Sequence, residues 1–254
     1  FKHPKYTVTI AICSKYNSLQ DAYKSILEAF IHAGIKNSAK IDIKWINTEQ
    51  LEHNVETIEN KFRNVDGILI PGGFGNRGIE GKIMSSKYAR ENKIPFLGIC
   101  LGLQCAVLDY ARHVSKLDNA NSTEFKKKTP YPVIDLMFKQ KKINNKGATM
   151  RLGSYECLLK KKTKAYKSYK REIINERHRH RYEVNNKYIK RLSKDGLIFS
   201  GKHKKLNLIE IEEIEDHPWF VGVQFHPELK SRIVRVHPLF RDFISSAIKY
   251  HDNQ

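Results

Sequence analysis

The chain has 254 residues, of which 40% are hydrophobic, and its formal net charge is +19 at pH 7. This length and apolar content suffice for one substantial core and require no second domain. The sequence contains no apolar run of about 18 residues and no charged-then-apolar leader, so neither a membrane span nor a secretory signal is expected. Its four cysteines show no paired framework and no C-x-x-C metal spacing, which predicts a cytoplasmic protein.

The basic charge raises the possibility of a polyanionic partner, because lysine-rich proteins attract nucleic acids. The lysines cluster in four segments: Lys126 to Lys128, Lys139 to Lys142, Lys160 to Lys162 and Lys202 to Lys205. These segments carry no aromatic pattern for stacking on bases and belong to no recognised nucleic-acid module. We therefore interpret these segments as solvated surface and do not expect nucleic acid as a partner. A polyanion-binding site is the alternative interpretation.

The first hundred residues alternate predicted strands with predicted helices. The strands are Tyr6 to Ile12, Lys40 to Ile46, Val65 to Ile70 and Ile94 to Ile99. The helices are Leu19 to Ala33, which is expected to stop at Gly34, and Leu51 to Phe62. This alternation predicts an α/β fold with a mainly parallel central sheet and helices on both faces. Ligands are then expected beyond the carboxyl ends of the strands.

A glycine-rich loop from Pro71 to Lys82 follows the third predicted strand and fits the pattern G-x-G-x-x-G at Gly73, Gly75 and Gly78. A dinucleotide-binding loop would also need an acidic residue roughly 20 positions later, and that window holds none. A Walker A loop would need serine or threonine where Ile83 stands. We therefore interpret the loop as lying beside a reaction centre. Nucleotide binding by the loop is the alternative interpretation.

The fourth predicted strand leads into the segment G-I-C-L-G, in which Gly98 and Gly102 flank Cys100. A helix is predicted from Leu101 to Arg112. Glycines flank the nucleophile in the same way in the G-x-S-x-G elbow, where a strained turn between strand and helix exposes one side chain. The positive end of the following helix favours a thiolate at Cys100, and a thiolate is the nucleophilic form.

A base for this cysteine is predicted at His226, directly after the apolar strand Phe220 to Phe225. Glu228 stands two residues further on, and Pro227 between them prevents a preceding helix from continuing and stiffens the turn. The carboxylate can then hold the imidazole in one orientation. The pattern predicts a catalytic triad of Cys100, His226 and Glu228.

Between the elbow and this strand, short β-rich segments predominate, which predicts antiparallel additions to the sheet. They are Tyr131 to Phe138, Met150 to Leu159, Tyr182 to Asn185 and Leu206 to Ile214. A helix from His237 to Tyr250, with an apolar stripe, closes the chain. His178 and His180 alternate like a metal-binding pair, but no third ligand is evident, so no metal is expected.

Several motifs carry a family resemblance. The segments G-I-C-L-G-L-Q and Q-F-H-P-E resemble those of class I glutamine amidotransferases. More narrowly, P-G-G-F-G-N-R-G-I-E-G-K, A-N-S-T-E-F, M-R-L-G, E-R-H-R-H-R-Y-E-V-N-N and H-P-L-F resemble the glutaminase domains of the CTP synthase family. The resemblance runs from about Tyr6 to Lys249. It implies one glutamine amidotransferase domain over residues 1–254, with the fold of that class.

The resemblance also implies an activity. It is hydrolysis of L-glutamine to glutamate and ammonia through a glutamyl thioester, with ammonia passed to a synthetase domain that aminates UTP to CTP with ATP and Mg²⁺. That synthetase domain would precede this one in the same polypeptide and is absent from this chain. No cofactor is expected in residues 1–254, GTP is implied as an allosteric activator, and a homo-oligomer, a tetramer, is implied for the full-length enzyme.

Further site residues follow from matching motifs. The amides of Gly73 and Leu101 are implied as the oxyanion hole. Glu124 and Arg181 are implied to contact the ammonium and the carboxylate of glutamine, a task that suits the bidentate guanidinium. Further substrate contacts are implied at Gly72, Phe74 and Gln104.

The sequence departs from the family in one region. Ala148 replaces an expected glycine, and the segment from Phe125 to Gly147 is shorter than expected. Both lie near a candidate lid over the glutamine site, Lys139 to Gly153, which the resemblance implies responds to GTP. Two other functions stay open from the sequence: a cysteine hydrolase of γ-glutamyl or peptide bonds, and a non-catalytic domain that binds polyanions or dinucleotides.

Overall fold

The computed structural model describes residues 3–15, 23–53, 57–136 and 150–254. Within these residues the strands are β1 (Tyr6–Ser14), β2 (Ala39–Asn47), β3 (Gly67–Ile70), β4 (Phe96–Ile99), β5 (Asn121–Ser122), β6 (Pro132–Leu136), β7 (Arg151–Leu159), β8 (Ile173–His180), β9 (Tyr182–Val184), β10 (Leu197–Lys202), β11 (Ile209–Ile214) and β12 (Phe220–Val223). The helices are α1 (Lys24–Asn37), α2 (Thr48–His53), α3 (Ile58–Lys61), α4 (Ile79–Glu91), α5 (Leu101–Asp109), α6 (Lys164–Tyr169), α7 (Asn186–Lys194) and α8 (Pro238–Asp252).

One large sheet organises this part of the chain, in the strand order β2-β1-β3-β4-β12-β11-β10-β7-β8. Strands β2, β1, β3, β4 and β12 are parallel to one another, and β11, β10, β7 and β8 continue the sheet in antiparallel fashion. Strands β5, β6 and β9 form a small second sheet. The predicted combination of a parallel centre with antiparallel additions is confirmed.

The two faces of the parallel strands are covered by different helices, because successive side chains of a strand point to opposite faces. Ile10 and Ile12 of β1 belong to a buried cluster with Phe30 of α1 and with side chains of α8. Ala11, which lies between them, belongs to a second cluster with Ala106 of α5 and with a residue of α4. The structure thus confirms helices on both faces. Among the described helices, none is long and apolar enough to cross a membrane.

The predicted end of the first helix at Gly34 is wrong. Helix α1 continues to Asn37, and the left-handed residue that ends it is Ser38, with φ of 53°. Gly34 serves packing instead, because a Cβ there would lie 2.7 Å from the carbonyl oxygen of Ala39 at the start of β2. The glycine marks a close approach between helix and strand rather than a helix stop. Residues 19–22 of the predicted helix lie outside the described residues.

The predicted helix Leu51 to Phe62 is also wrong in its extent. The structure has two short helices there, α2 and α3, and residues 54–56 lie outside the described part. Helices α4, α6 and α7 and strands β5, β8 and β10 were not predicted from the sequence. In β8 the buried residues are Ile174, Glu176, His178 and His180. Since three of these four are polar, the strand lacks the alternation of apolar residues that reveals a half-buried strand.

Candidate active site

The turn between β4 and α5 has the geometry of a nucleophile elbow. Cys100 connects the two elements with φ of 52°, a left-handed conformation that is uncommon outside glycine. A Cβ on Gly98 would lie 2.8 Å from the carbonyl carbon of Gly102, and a Cβ on Gly102 would lie 2.2 Å from the carbonyl oxygen of Ile70. Only glycine fits at both positions, as the sequence predicts. The turn therefore requires both glycines of the G-x-C-x-G pattern.

The parallel neighbour β12 brings the predicted base to this turn. Val223 is opposite Ile99 in the parallel register, and the N–H of Cys100 donates to the carbonyl oxygen of Val223 at 2.7 Å. Three residues later, the N–H of His226 donates to the carbonyl oxygen of Arg177 at 2.8 Å. These two backbone hydrogen bonds fix the chain on either side of Gln224, so that His226 lies beside Cys100.

His226 is paired with Glu228, as predicted. The Nδ1 atom of the ring lies 2.7 Å from Oε1 of Glu228, and both side chains are largely buried. Burial alone would lower the pKa of His226, but interactions with Cys100 and Glu228 outweigh burial and raise this pKa to about 10. The ring is therefore an imidazolium at neutral pH. Its Nε2 atom is buried and has no hydrogen-bond partner among the described residues.

Gly72 lies against both members of this pair. A Cβ at this position would approach Cε1 of His226 to 2.7 Å and the Cβ of Cys100 to 3.5 Å. Any side chain at position 72 would therefore displace the imidazole. The sequence predicts Gly72 as a contact to substrate. Its position shows a second constraint, because a residue without a side chain is needed where His226 and Cys100 approach each other.

Two cavities meet at Cys100. The first has an empty volume of about 300 Å³ and is lined by Gly73, Phe74, Cys100, Leu101, Gln104, Glu124, His180, Arg181 and Tyr182. The second has an empty volume of about 710 Å³, and its lining includes Gly72, His226 and Glu228 together with Cys100. The structure thus brings all ten predicted site residues together around one sulfur atom.

The first cavity carries one acidic and one basic group. Glu124 accepts a long hydrogen bond of 3.4 Å from the N–H of Gly75. Burial raises the pKa of Glu124, and Gly75 and Arg181 oppose that shift. The Nε atom of Arg181 is buried and has no hydrogen-bond partner among the described residues. A ligand with an ammonium and a carboxylate would supply partners for both groups, because buried charges are favourable only when paired.

With this geometry established, comparison with known proteins identifies the family. A sequence model described as "Glutamine amidotransferase class-I" matches residues 18–246. The CTP synthase of Chlorobium phaeobacteroides is 56% identical over 243 residues, which are 96% of this chain and 43% of that protein. The CTP synthase of Caldanaerobacter subterraneus is 53% identical over 252 residues, which are 99% of this chain and 47% of that protein.

A solved structure agrees with this. The glutaminase domain of Trypanosoma brucei CTPS with bound acivicin superposes with a TM-score of 0.90 at 37% identity, covering 95% of this chain and 94% of that one. The chain belongs to the class-I glutamine amidotransferase family. The predicted resemblance to the glutaminase domains of CTP synthases is confirmed, as is the predicted fold. The chain spans less than half the length of the curated CTP synthases named above.

Three residues at this amidotransferase site were not predicted. His180 and Tyr182 line the first cavity, and the side chain of Gln224 reaches Cys100. His180 and Tyr182 flank Arg181 at the junction of β8 and β9, and the polar pattern of β8 hid that junction in the sequence. Gln224 stands inside the motif Q-F-H-P-E, two residues before His226, where its proximity to the histidine could have indicated it.

The two histidines of β8, His178 and His180, contact each other in the protein interior. Nδ1 of His178 lies 2.9 Å from Nε2 of His180, and both rings are buried. Burial and the charge of Arg151 lower the pKa of each histidine, so both rings are neutral. In residues 3–15, 23–53, 57–136 and 150–254, no cluster of three or more His, Cys, Asp or Glu side chains is arranged to hold a metal ion.

The other three cysteines are completely buried. Cys13, Cys105 and Cys157 have no exposed surface, whereas Cys100 retains 3%. Burial raises the pKa of Cys13 and of Cys105 to about 12, and it also raises the pKa of Cys157. Since a thiol must ionise to act as a nucleophile, these three side chains are inert packing.

Replacing Glu228 by glutamine should lower the pKa of His226, because a neutral amide no longer attracts the imidazolium. The raised pKa means that the imidazolium stabilises the folded state fully below the unfolded value of about 6.5. This contribution is lost as the pH rises through about 10. The difference in unfolding free energy between wild type and Glu228→Gln should therefore be largest near pH 6 and smaller above pH 10. Urea unfolding and NMR titration of the imidazole measure the two quantities.

The exposed Glu215 provides a matched control, and Glu215→Gln should leave the titration of His226 unchanged. An unchanged pKa of His226 in Glu228→Gln would show that this carboxylate does not support the imidazolium.

Proposed function

We propose that this chain hydrolyses L-glutamine to glutamate and ammonia through a covalent thioester on Cys100. One observation carries the proposal: an elbow cysteine and a His226–Glu228 pair meet beside a cavity that contains Glu124 and Arg181. Membership of the glutamine amidotransferases favours glutamine over other γ-glutamyl or peptide substrates and over a non-catalytic domain.

The first half of the reaction forms the thioester. The Cys100 thiolate attacks the side-chain amide carbon of glutamine, and a C–S bond forms as the carbonyl oxygen becomes an oxyanion. Collapse of this intermediate breaks the C–N bond, and His226 gives its proton to the departing nitrogen, which leaves as ammonia. The raised pKa of His226 suits this step, because the ring carries the required proton at neutral pH.

The second half hydrolyses the thioester. Neutral His226 takes a proton from water, and the resulting hydroxide attacks the thioester carbon. Collapse of the second intermediate breaks the C–S bond and releases glutamate and the Cys100 thiolate, with the imidazolium restored. Glu228 holds the ring in one orientation in both halves through its hydrogen bond to Nδ1.

The amides of Gly73 and Leu101 are proposed to stabilise both oxyanions. Leu101 is the first residue of α5, where backbone N–H groups have no partner within the helix. Gly73 is close to it, because a Cβ on Gly73 would lie 3.3 Å from Cδ2 of Leu101. Removal of one such donor typically costs about 3 to 4 kcal/mol of transition-state stabilisation.

Glu124 and Arg181 are proposed to recognise the ammonium and the carboxylate of glutamine. Both line the cavity that also contains the Cys100 sulfur, so an amino acid anchored there would direct its side chain toward the nucleophile. Phe74 and Gln104 line the same cavity, and Gly72 lies behind the nucleophile. These three residues are proposed as further contacts.

The activity of a longer enzyme is a further proposal, supported by relatives that are more than twice the length of this chain. In such an enzyme, residues 1–254 would form one glutaminase domain, and a synthetase domain of the same polypeptide would use the ammonia to aminate UTP with ATP and Mg²⁺. A cytoplasmic homotetramer and activation by GTP belong to this proposal. Residues 139–149 of the predicted lid, Lys139 to Gly153, and residues 137–147 of the shortened segment, Phe125 to Gly147, lie outside the described residues.

Cys100→Ala should abolish glutamine hydrolysis, because alanine lacks the sulfur that forms the thioester. The matched control is Cys105→Ala, one helical turn away and buried, which should retain activity. Ammonia release from glutamine is the measurement, with circular dichroism to verify folding. Turnover by Cys100→Ala at the wild-type rate would disprove the nucleophile assignment.

Glu124→Ala and Arg181→Ala should each reduce kcat/KM for glutamine by roughly 10- to 150-fold, mainly through KM. Each variant leaves one charge of the bound amino acid without its partner, and a charged hydrogen bond contributes about 1.5 to 3 kcal/mol. The exposed Arg171 provides a control, and Arg171→Ala should leave both constants unchanged. Unchanged kinetics in both site variants would place the glutamine pocket elsewhere.

Ammonia release by this chain alone should be slow, and it should rise several-fold when the chain is fused to a synthetase segment from a relative and given UTP and ATP. The reason is that the binding of UTP and ATP to the synthetase segment would supply free energy that orders the glutaminase site. The comparison uses the lone chain, the lone chain with GTP, and the fusion. Equal activity in all three would mean that the glutaminase site is already fully organised without a partner.

A further inference from the structure

Gln224 lies between the end of β12 and His226, and its side chain reaches Cys100. It follows β12 directly, one residue after Val223, whose carbonyl oxygen binds the N–H of Cys100. Its own N–H donates to the carbonyl oxygen of Glu210 at 2.9 Å, and its side chain is completely buried. A glutamine buried at the end of a strand must find partners for both ends of its amide, since unpaired polar groups are costly in the interior.

Those partners form a short chain of hydrogen bonds that ends on the nucleophile. The Nε2 atom of Gln104 donates to the carbonyl oxygen of Tyr182 at 3.1 Å and to Oε1 of Gln224 at 3.3 Å. The Nε2 atom of Gln224 then donates to the sulfur of Cys100 at 3.7 Å. Sulfur is a large atom, so this distance falls within the range of N–H···S hydrogen bonds.

The orientation of both amides follows from the first acceptor in the chain. A backbone carbonyl can only accept, so the nitrogen of Gln104 must face Tyr182. The second hydrogen on that nitrogen requires an acceptor, which turns the oxygen of Gln224 toward Gln104. The nitrogen of Gln224 is then left to face Cys100. The donor on the sulfur is thus determined by the backbone at Tyr182.

We propose that Gln224 is a further catalytic residue, whose side-chain amide donates a hydrogen bond to the Cys100 sulfur and stabilises its thiolate, and that Gln104 is the residue that positions this amide. The inference rests on the proposed function, because it assigns a role in the thioester cycle. The proposed role differs from that of His226. The histidine changes its charge during the reaction, whereas a neutral amide remains a donor throughout.

This constancy matters most in the second half of the reaction. From the release of ammonia until His226 takes a proton from water, no imidazolium attracts the sulfur, whereas the amide of Gln224 remains a donor. When the second intermediate collapses, Cys100 must leave as a thiolate, and the hydrogen bond from Gln224 stabilises that leaving group. An amide suits this position because it neither titrates nor exchanges a proton with the sulfur.

The test is the pH dependence of Cys100 alkylation in Gln224→Met, which removes the donor and keeps a side chain of similar length. The rate of carbamidomethylation by iodoacetamide is followed from pH 5 to pH 10 by mass spectrometry of the Cys100 peptide. At neutral pH the variant should react about 10-fold more slowly, because less of its sulfur is ionised. The two rates should converge at high pH, where the sulfur is ionised in both proteins.

The other ionisable and charged groups around Cys100 stay the same in this comparison. They are His226, Glu228, Glu124, Arg179, His180, Arg181, Tyr23 and Tyr182. A rate that is reduced equally at every pH would show that Gln224 only holds the sulfur in place and would overturn the proposal. Identical profiles would overturn it as well.

Two further variants complete the design. Gln50→Met replaces an exposed glutamine and should leave the profile unchanged. Gln104→Met frees the oxygen of Gln224, so the amide can rotate, and the profile should move in the same direction by a smaller amount. Should Gln224→Met fail to fold by circular dichroism, Gln104→Met decides the question, and an unshifted profile there would overturn the proposal.

Alkylation needs no glutamine, so this experiment separates the two proposals. If the chain released no ammonia from glutamine, the proposed function would fail while the alkylation profiles still tested the hydrogen bond. If ammonia release were normal in Gln224→Met and the profiles coincided, only the role of Gln224 would fail. In the expected case, kcat for glutamine hydrolysis falls about 10-fold in Gln224→Met, while KM changes little.

Discussion

The active site depends on the parallel pairing of β4 with β12. The register of this pair places Val223 opposite Ile99, so the residues that follow the two strands emerge side by side at the carboxyl edge of the sheet. Cys100 follows one strand, and Gln224 and His226 follow the other. Because the sheet holds both strand ends, the proximity of Cys100 and His226 is a property of the backbone register rather than of flexible side chains. A shift of one residue would turn every side chain of β12 to the opposite face and separate the pair.

Short motifs explain how much of this site could be predicted. The glycines at 98 and 102 mark the elbow, because each stands where a Cβ would meet backbone atoms. The sequence His226-Pro227-Glu228 indicates an acid held close to a histidine by a stiff turn, and the two side chains are hydrogen-bonded. Both patterns are local, so they can be interpreted without knowledge of the fold. Gly34 shows the limit of such local patterns. The local pattern predicts a helix stop there, whereas the glycine is required by its close contact with Ala39 in the next element.

The antiparallel half of the sheet was harder to predict because its interior is polar. Arg151 donates to Glu183 and to Glu210, each at 2.9 Å, and His178 lies 3.3 Å from the second oxygen of Glu210. Burial raises the pKa of Glu183 to about 7 and that of Glu210 to about 8, although Arg151 opposes both shifts. Such a network adds little net stability, whereas removal of one member costs about 3 to 5 kcal/mol. It gives β8 a buried face of charged and imidazole side chains, which composition alone assigns to the surface.

The burial of three of the four cysteines has a practical consequence for experiments on the folded protein. Cys13, Cys105 and Cys157 have no exposed surface, and all lie in the packed interior. A fluorophore, spin label or affinity matrix that reacts with thiols will therefore modify the folded chain at a single position, the elbow. Labelling stoichiometry then counts accessible elbow cysteines directly, and no other cysteine has to be replaced first. A stoichiometry that rises above one label per chain signals unfolding, because only loss of the core exposes the other three thiols.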